Sequence, residues 1–540
     1  MARWLCRLDP AELSQGEALV DEARRRGIGG WLLAVTLDGK GQLSPALPLA
    51  DLLQGQTQNL SFCLTCHLSE PLTPRGEEQA AAALAPFLAH PQAVRLAGRP
   101  LLVLQEPERL SHPQYSPQRL RLALQCGVRT AGGTADPPLL LHPSQTTAPA
   151  SVPGFDGAVE TLAEPTGPTE PITYERCLHQ AHYRPLPPEL WIPAVRTPKA
   201  EEESGHPGAD ADRYREWLEL ASAWSELWHD GRREAPVLLE NWPAHRHWWD
   251  QGTAEAPSPP PPALAPAPST APEPEVDERS WGEPHPSHLA LLIHGFYLDR
   301  LESMLRPLAA GGASDGLPAL DLYLSTPEPQ LEEAAELLRL LGWPRVRIFG
   351  VANRGRDIAP FLRHLLPAAL DCGHGAFVKL HTKASPHLEL GEGWGGHLVE
   401  SLLARELLSQ LGDRLSRDPE LGLLAPSGTL LPTTVALNRN AAHLLPLLRQ
   451  GNLSGRWFLG QRFVAGSMMA GRLEALRSLL KIPFPLKAFA PEAGQTDGTL
   501  AHALERWICA VVLAEGWTLE ELPGPATAVP GFGYRWVTDD

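Results

Sequence analysis

The chain has 540 residues, which at about 150 residues per domain is room for two to four domains, each with its own core. It holds 56 prolines and 47 glycines, and 46 basic against 63 acidic side chains give a formal charge of −17. With no lysine- or arginine-rich run to replace counterions, that balance argues against nucleic acid as the main partner. No apolar stretch reaches the ~20 residues that cross a bilayer. The opening MARWLCRLDPAELSQG lacks the apolar centre of a signal peptide, so a cytoplasmic protein is expected, with any membrane contact peripheral.

Six lysines, at 40, 199, 379, 383, 481 and 487, stand among the 46 basic residues, a skew that by itself reflects composition. Seven scattered cysteines suit a reducing compartment. The close pair Cys63 and Cys66 lies in SFCLTCH, an apolar run that reads as a buried strand. Plain core thiols are expected there rather than redox or metal chemistry, and no metal or other cofactor is expected.

In chain order, GEALVDEARRRG (16–27) reads as an amphipathic helix closed by Gly27, followed by a strand GGWLLAVTL, then PLADLLQG and a strand NLSFCLTCHL. Further strands are expected in RPLLVLQ (99–105), PPLLLHP, GFDGAVE (154–160), LWIPAVR (190–196) and APVLLENW (235–242). Helices are expected over 116–127 and 212–231. Repeated apolar strands between helical patterns point to a parallel α/β unit, a (β/α) barrel-like domain over 1–252. Residues 253–280 are proline-rich without apolar periodicity and read as an extended spacer.

From 281 to 540 the alternation is cleaner. Strands are expected at 288–296, 319–326, 345–353 and 375–382, with helices at 299–308, 328–342 and 358–370. This is a Rossmann-like sheet, in which ligands bind beyond the C-terminal strand ends. Two segments fall at such ends. Asn353-Arg354-Gly355-Arg356-Asp357 joins the third strand to the third helix: the glycine allows close backbone approach, and two arginines supply forked donors for an anion. It reads equally well as a turn in which Asp357 caps the helix.

Lys379-Leu380-His381-Thr382-Lys383 ends the fourth strand. Alternation puts Lys379, His381 and Lys383 on one side, where a buried strand needs an anion to meet them; a lysine-blocked edge strand is the alternative. FVAGSMMAG (463–471) reads as a small-residue loop around Gly466. In DGTLAHALERW, Asp497 is either the helix N-cap or a carboxylate base, with His502, Glu505 and Arg506 on the helix behind it.

NRGRDIAPFL, FVKLHTKASPH, the Gly393-Trp394 segment and DGTLAHALER together resemble the rhamnan synthesis protein F family of bacterial polysaccharide glycosyltransferases, over about 281–525. The resemblance implies a cytoplasmic enzyme that builds cell-surface polysaccharide from a nucleotide sugar, rhamnose or similar, on a glycan or lipid-linked glycan acceptor, with peripheral contact at the inner membrane. The second half also looks like a glycosyltransferase of the A-type fold. Such enzymes commonly end the fourth strand in a metal-holding Asp-x-Asp, where KLHTK stands here.

Lys379, His381 and Lys383 are therefore expected to stabilise the departing nucleoside diphosphate without a metal. Asn353, Arg354, Gly355, Arg356 and Asp357 would complete the donor site. Asp497 would deprotonate the acceptor hydroxyl, with Gly466, His502, Glu505 and Arg506 on the acceptor side.

The stretches RRGIGGWLL, PLADLL, PFLAHPQAVRLAGRPLLVL, GFDGAVE and LLENW resemble the WbsX-like, glycoside hydrolase family 99-like domains. The family's opening strand and Trp-x-x-Glu-Trp segment are not recognised, HLSEPLTPRG replaces its acidic segment, and Ala244 stands where a glutamate would act. Glycosidases need two carboxylates, so this domain is expected to be truncated and inactive. A non-catalytic carbohydrate-binding or scaffold protein, and a hydrolase acting through the first half, are the rival readings.

Overall fold

The computed structural model describes residues 3–8, 21, 25, 28–44, 61–96, 98–105, 117–133, 137–144, 157–161, 190–196, 221–223, 225–229 and 236–240, then 276–310, 317–382, 391–434, 437, 440–492, 495 and 497–523. The chain divides into two compact units, Met1–Pro259 and Pro260–Asp540. Both are α/β.

Eight described strands of the first unit are β1 (Arg3–Leu8), β2 (Gly30–Leu37), β3 (Ser61–Leu68), β4 (Arg99–Leu104), β5 (Leu139–Ser144), β6 (Gly157–Thr161), β7 (Leu190–Arg196) and β8 (Pro236–Glu240). Each pairs in parallel with the next, and β8 pairs in parallel with β1, so the pairings form a closed cycle. The cycle closes through β1, a strand not expected from the sequence, with Leu5 and Cys6 fully buried. The apolar run in that segment is only Trp4-Leu5-Cys6, broken by Arg7 before Leu8. So short a run carries no strand signal, and pairing on both sides supplies what the local pattern lacks.

Helices α1 (Pro74–Ala89) and α2 (Pro117–Thr130) pack against each other. The sequence reading does not name α1, although its start is well marked: Thr73 Oγ1 accepts from Gly76 N at 3.0 Å and Pro74 takes the first position. Buried Glu77 meets Arg119 of α2 at 3.1 Å. Cys63 and Cys66 are core thiols, pushed up by burial, Cys63 to about 12. The helices expected at 16–27 and 212–231 fall mostly outside the described residues, and PLADLLQG falls wholly outside.

The second unit has strands β9 (Asp277–Trp281), β10 (Leu289–His294), β11 (Leu320–Pro327), β12 (Val346–Val351), β13 (Ala376–His381), β14 (Leu421–Ala425), β15 (Met469–Arg472) and β16 (Thr518–Glu521) in one sheet, ordered β9-β12-β11-β10-β13-β15-β14-β16. β12, β11, β10 and β13 run parallel. β15 is antiparallel to both its neighbours, so the sheet is mixed.

Two of these strands correct the reading. β9 begins inside the supposed spacer, where Asp277-Glu278-Arg279-Ser280 has no apolar run; it is held by the ladder to β12, by Arg347–Glu278 at 2.8 Å and by Trp281 Nε1 donating to the Trp343 carbonyl at 2.7 Å. β15 lies in the stretch taken for a loop. Its Ala and Gly look like loop residues, yet a Cβ at Gly471 would lie 2.2 Å from the Gly422 carbonyl oxygen. The small residue is there so that two strands can approach.

The longer α-helices described in this unit are α3 (Leu298–Ala310), α4 (Leu331–Leu340), α5 (358–372), α6 (Gly391–Leu402), α7 (Arg405–Arg417), α8 (Ala441–Gln450) and α9 (Leu500–Ala514). Within α5, Phe361–Leu365 widens to a π-turn. Pro367 follows; it cannot donate to the Arg363 carbonyl and its ring crowds that group. Buried Leu291, Ile293, Leu322, Leu324, Ile348, Val378 and Leu380 form the core beneath the helices.

Candidate functional site

Parallel direction brings the C-terminal ends of β10, β11, β12 and β13 to one edge of the sheet, where open α/β sheets take ligands. His294 and His381 end neighbouring strands in register. His294 is buried with Nδ1 3.0 Å from Ser325 Oγ. Burial lowers it to about 4, with His381 and Lys379 adding to the effect and Asp357 opposing it. Thr382 Oγ1 accepts from the backbone N–H of Phe296 at 2.8 Å and of Tyr297 at 2.9 Å, tying the β10 loop to the end of β13. The sequence assigns no role to His294, Ser325 or Thr382, since each matters only through a partner on another segment.

The Asn353–Asp357 turn is built on left-handed backbone at Gly355 (φ 69°) and Arg356 (φ 54°). Asp357 does not cap α5 with its side chain. Its Oδ2 accepts from Lys379 Nζ at 2.6 Å and from Ser467 Oγ at 2.6 Å. Burial alone would raise the Asp357 carboxyl, but the Lys379 charge, His381 and these two hydrogen bonds hold it well below the usual carboxylate range. Lys379 is 1% exposed and also donates to the Ser467 carbonyl at 2.8 Å.

The Lys379 charge is thus matched inside the protein, by Asp357 and the Ser467 carbonyl. The edge-strand alternative fails, because β13 is paired on both sides. Lys383 lies outside the described residues, as do the side chains of the Gly393-Trp394 segment.

Asn353 is exposed at the rim of the turn. Arg354 donates from Nη1 to the Phe489 carbonyl at 3.2 Å. Arg356 donates to the Gln495 carbonyl and meets Glu492 at 3.4 Å. Both arginines thus hold the 489–495 segment against the turn.

A second left-handed pair, Gly466 (φ 83°) and Ser467 (φ 53°), lies between 462–464 and β15. His381 Nε2 donates to the Gly466 carbonyl at 2.9 Å, and Gly466 N donates to Glu505 Oε1 at 2.6 Å. Helix α9 begins with Thr499 as N-cap, in a reciprocal box with His502. Asp497 is therefore not the cap; its Oδ1 accepts from Asn440 Nδ2 at 2.8 Å.

His502 Nδ1 accepts from Thr499 N, which puts the ring proton on Nε2, a buried atom with no hydrogen-bond partner among the described residues. Burial lowers His502 to about 4; Asp497 opposes the shift, and Arg356 and Arg506 reinforce it. Arg506 is buried, donates to the His502 carbonyl at 2.8 Å and stacks 4.6 Å over Phe463.

Every described site residue expected from the sequence thus lies in one neighbourhood, as framework (Lys379, Asp357, Arg354, Arg506) or nearer its surface (Asn353, Arg356, His381, Asp497, His502, Glu505). Among the described residues, no group of three or more His, Cys, Asp or Glu is placed to hold a metal ion, and no helix is long and apolar enough to cross a membrane.

The neutral histidines set a pH dependence. A histidine whose folded pKa lies near 4 contributes stability above its unfolded value of 6.5, and loses it as pH falls from 6.5 to 4, because the unfolded chain binds the proton first. Thermal unfolding should show this loss, up to about 3 kcal/mol for His294. His294→Asn should flatten the slope between pH 6.5 and 4; an unchanged slope would remove His294 from the explanation.

Residues 267–517 match the family model for rhamnan synthesis protein F. That span takes in every site residue from Asn353 to Arg506. Over 480 residues the chain is 28% identical to the uncharacterized protein WxcX of Xanthomonas campestris pv. campestris, in two strains, across 84% of this chain and 66% of the relative. The chain thus matches just under two thirds of the length of those relatives.

Proposed function

We propose that the second unit is a glycosyltransferase of rhamnan-type polysaccharide synthesis, moving rhamnose or a similar sugar from a nucleotide sugar to a glycan or lipid-linked glycan at the cytoplasmic side of the inner membrane. The observation that carries the reading is the meeting, at one C-terminal sheet edge and within the family-matched span, of a cationic turn, His381, and a carboxylate ahead of α9. Asn353 and Arg356 would hold the diphosphate from the turn, His381 would steady the leaving charge, and Asp497 would take the acceptor proton. The strand end does not fit a divalent cation: Lys379 is an ammonium and the His381 Nε2–H is a donor. No step is routed through a metal.

The first unit would hold the growing glycan rather than cleave it, since Ala244 stands where the hydrolase glutamate would act. A panel of UDP-, TDP- and GDP-sugars tests the whole reading. One of them should raise the melting temperature, as a ligand at 100 times its Kd adds about 2.7 kcal/mol, and should release its nucleoside diphosphate when a rhamnan acceptor is added, in excess EDTA as without it. Glycan binding with no response to any nucleotide sugar would instead establish the scaffold alternative.

A further inference from the structure

The central charged pair of the site is also its least accessible part. Lys379 is 1% exposed and Asp357 9%, with 2.6 Å between Nζ and Oδ2. Lys379 additionally donates to the Ser467 carbonyl and to Ser467 Oγ at 3.2 Å, while Ser467 Oγ donates to Asp357. Both partners of this triad adjoin or belong to left-handed turns, Gly355-Arg356 and Gly466-Ser467. In each turn the second residue is not glycine. An L residue keeps that backbone only where its surroundings enforce it.

What enforces it also sets the rest of the site. One residue before Asp357, Arg356 reaches the Gln495 carbonyl and Glu492, in the segment that leads to Asp497. Two residues beyond Lys379, His381 grips the Gly466 carbonyl, and Glu505 receives the Gly466 N–H. A ligand that recruited Lys379 would have to break its bonds to Asp357 and Ser467 and leave Asp357 buried as an unpaired anion.

We propose that Lys379 and Asp357 are positioning residues, a buried ion pair that locks the two left-handed turns in register and thereby sets Arg356, His381 and the segment carrying Asp497. Only the nucleotide-binding arm of the test below rests on the transferase reading.

The test uses the full chain with Lys379→Met, Asp357→Asn and the double variant, followed by thermal unfolding, hydrogen exchange in both turns, and titration with UDP, TDP and GDP. Each single change strands one buried charge. It should lower Tm by roughly 6–10 °C and speed exchange in both turns, including the one it does not touch. Failure of a single variant to fold beside a double variant that folds supports the lock equally.

The double variant removes both charges. It should return to within about 3 °C of the parent and bind the nucleotide within about threefold of it. Two outcomes overturn the proposal: a double variant no more stable than the sum of its single losses, or one that melts like the parent yet binds about 100-fold more weakly, which would make Lys379 a ligand contact. If no nucleotide binds the parent chain, the transferase reading fails, and the coupling in melting and exchange still decides the lock.

Discussion

Asparagine at position 497 should lower sugar transfer by about 10²–10⁴-fold, the usual contribution of a positioned general base. Asp497 is half-buried just before the N-cap of α9, and Asn440 Nδ2 holds its Oδ1 at 2.8 Å. Asparagine has the same shape and can still present a carbonyl oxygen to Asn440, so the fold and the donor KM should change little. The loss should fall on kcat, because only the proton acceptor is removed. Initial rates at saturating donor, with melting curves as control, give the answer. A rate within about threefold of the parent would take the base role from Asp497 and leave Glu505 as the carboxylate to test.

Gly355→Ala should destabilise the second unit by roughly 2–4 kcal/mol, the sum of a left-handed alanine and an overpacked contact. The backbone at 355 has φ 69°, and an added Cβ would lie 2.5 Å from Ala359 Cβ and 2.5 Å from the Phe489 ring. Neither neighbour can yield easily. Ala359 is in the first turn of α5, and Phe489, 1% exposed, offers its carbonyl to Arg354. Displacing that ring would loosen the grip of Arg354 on the 489–495 segment, so nucleotide affinity should fall together with stability. Denaturant unfolding measures the first and titration the second. A change below about 0.5 kcal/mol would mean that the turn can re-form with an ordinary backbone.

Much of the second unit was legible because its buried parallel strands are rich in apolar residues: LALLIH, LDLYLST and VRIFGV announce β10, β11 and β12 without help from their neighbours. The cationic residues of β13 stood out for the same reason, as charges placed where only apolar side chains belong. What could not be read was their answer. Lys379 and Asp357 are 22 residues apart and meet only because β13 and the loop after β12 end at the same edge of the sheet. The anion that a buried lysine calls for is supplied within the protein, by Asp357. β1, β9 and β15 escaped for a related reason, since short, charged or glycine-containing segments become strands through their partners.

The amino-acid sequence by itself determined an α/β chain, its proline-rich stretch, its core strands and the neighbourhood in which unusual polar residues gather, because these follow from local composition and periodicity. Only the tertiary structure decided that the first unit's strand pairings close through Arg3–Leu8, that β15 runs against its neighbours, and that Thr499 rather than Asp497 caps α9. It also decided which charges face each other and which remain near the surface. Those are matters of pairing and register between distant segments, and no local pattern encodes them.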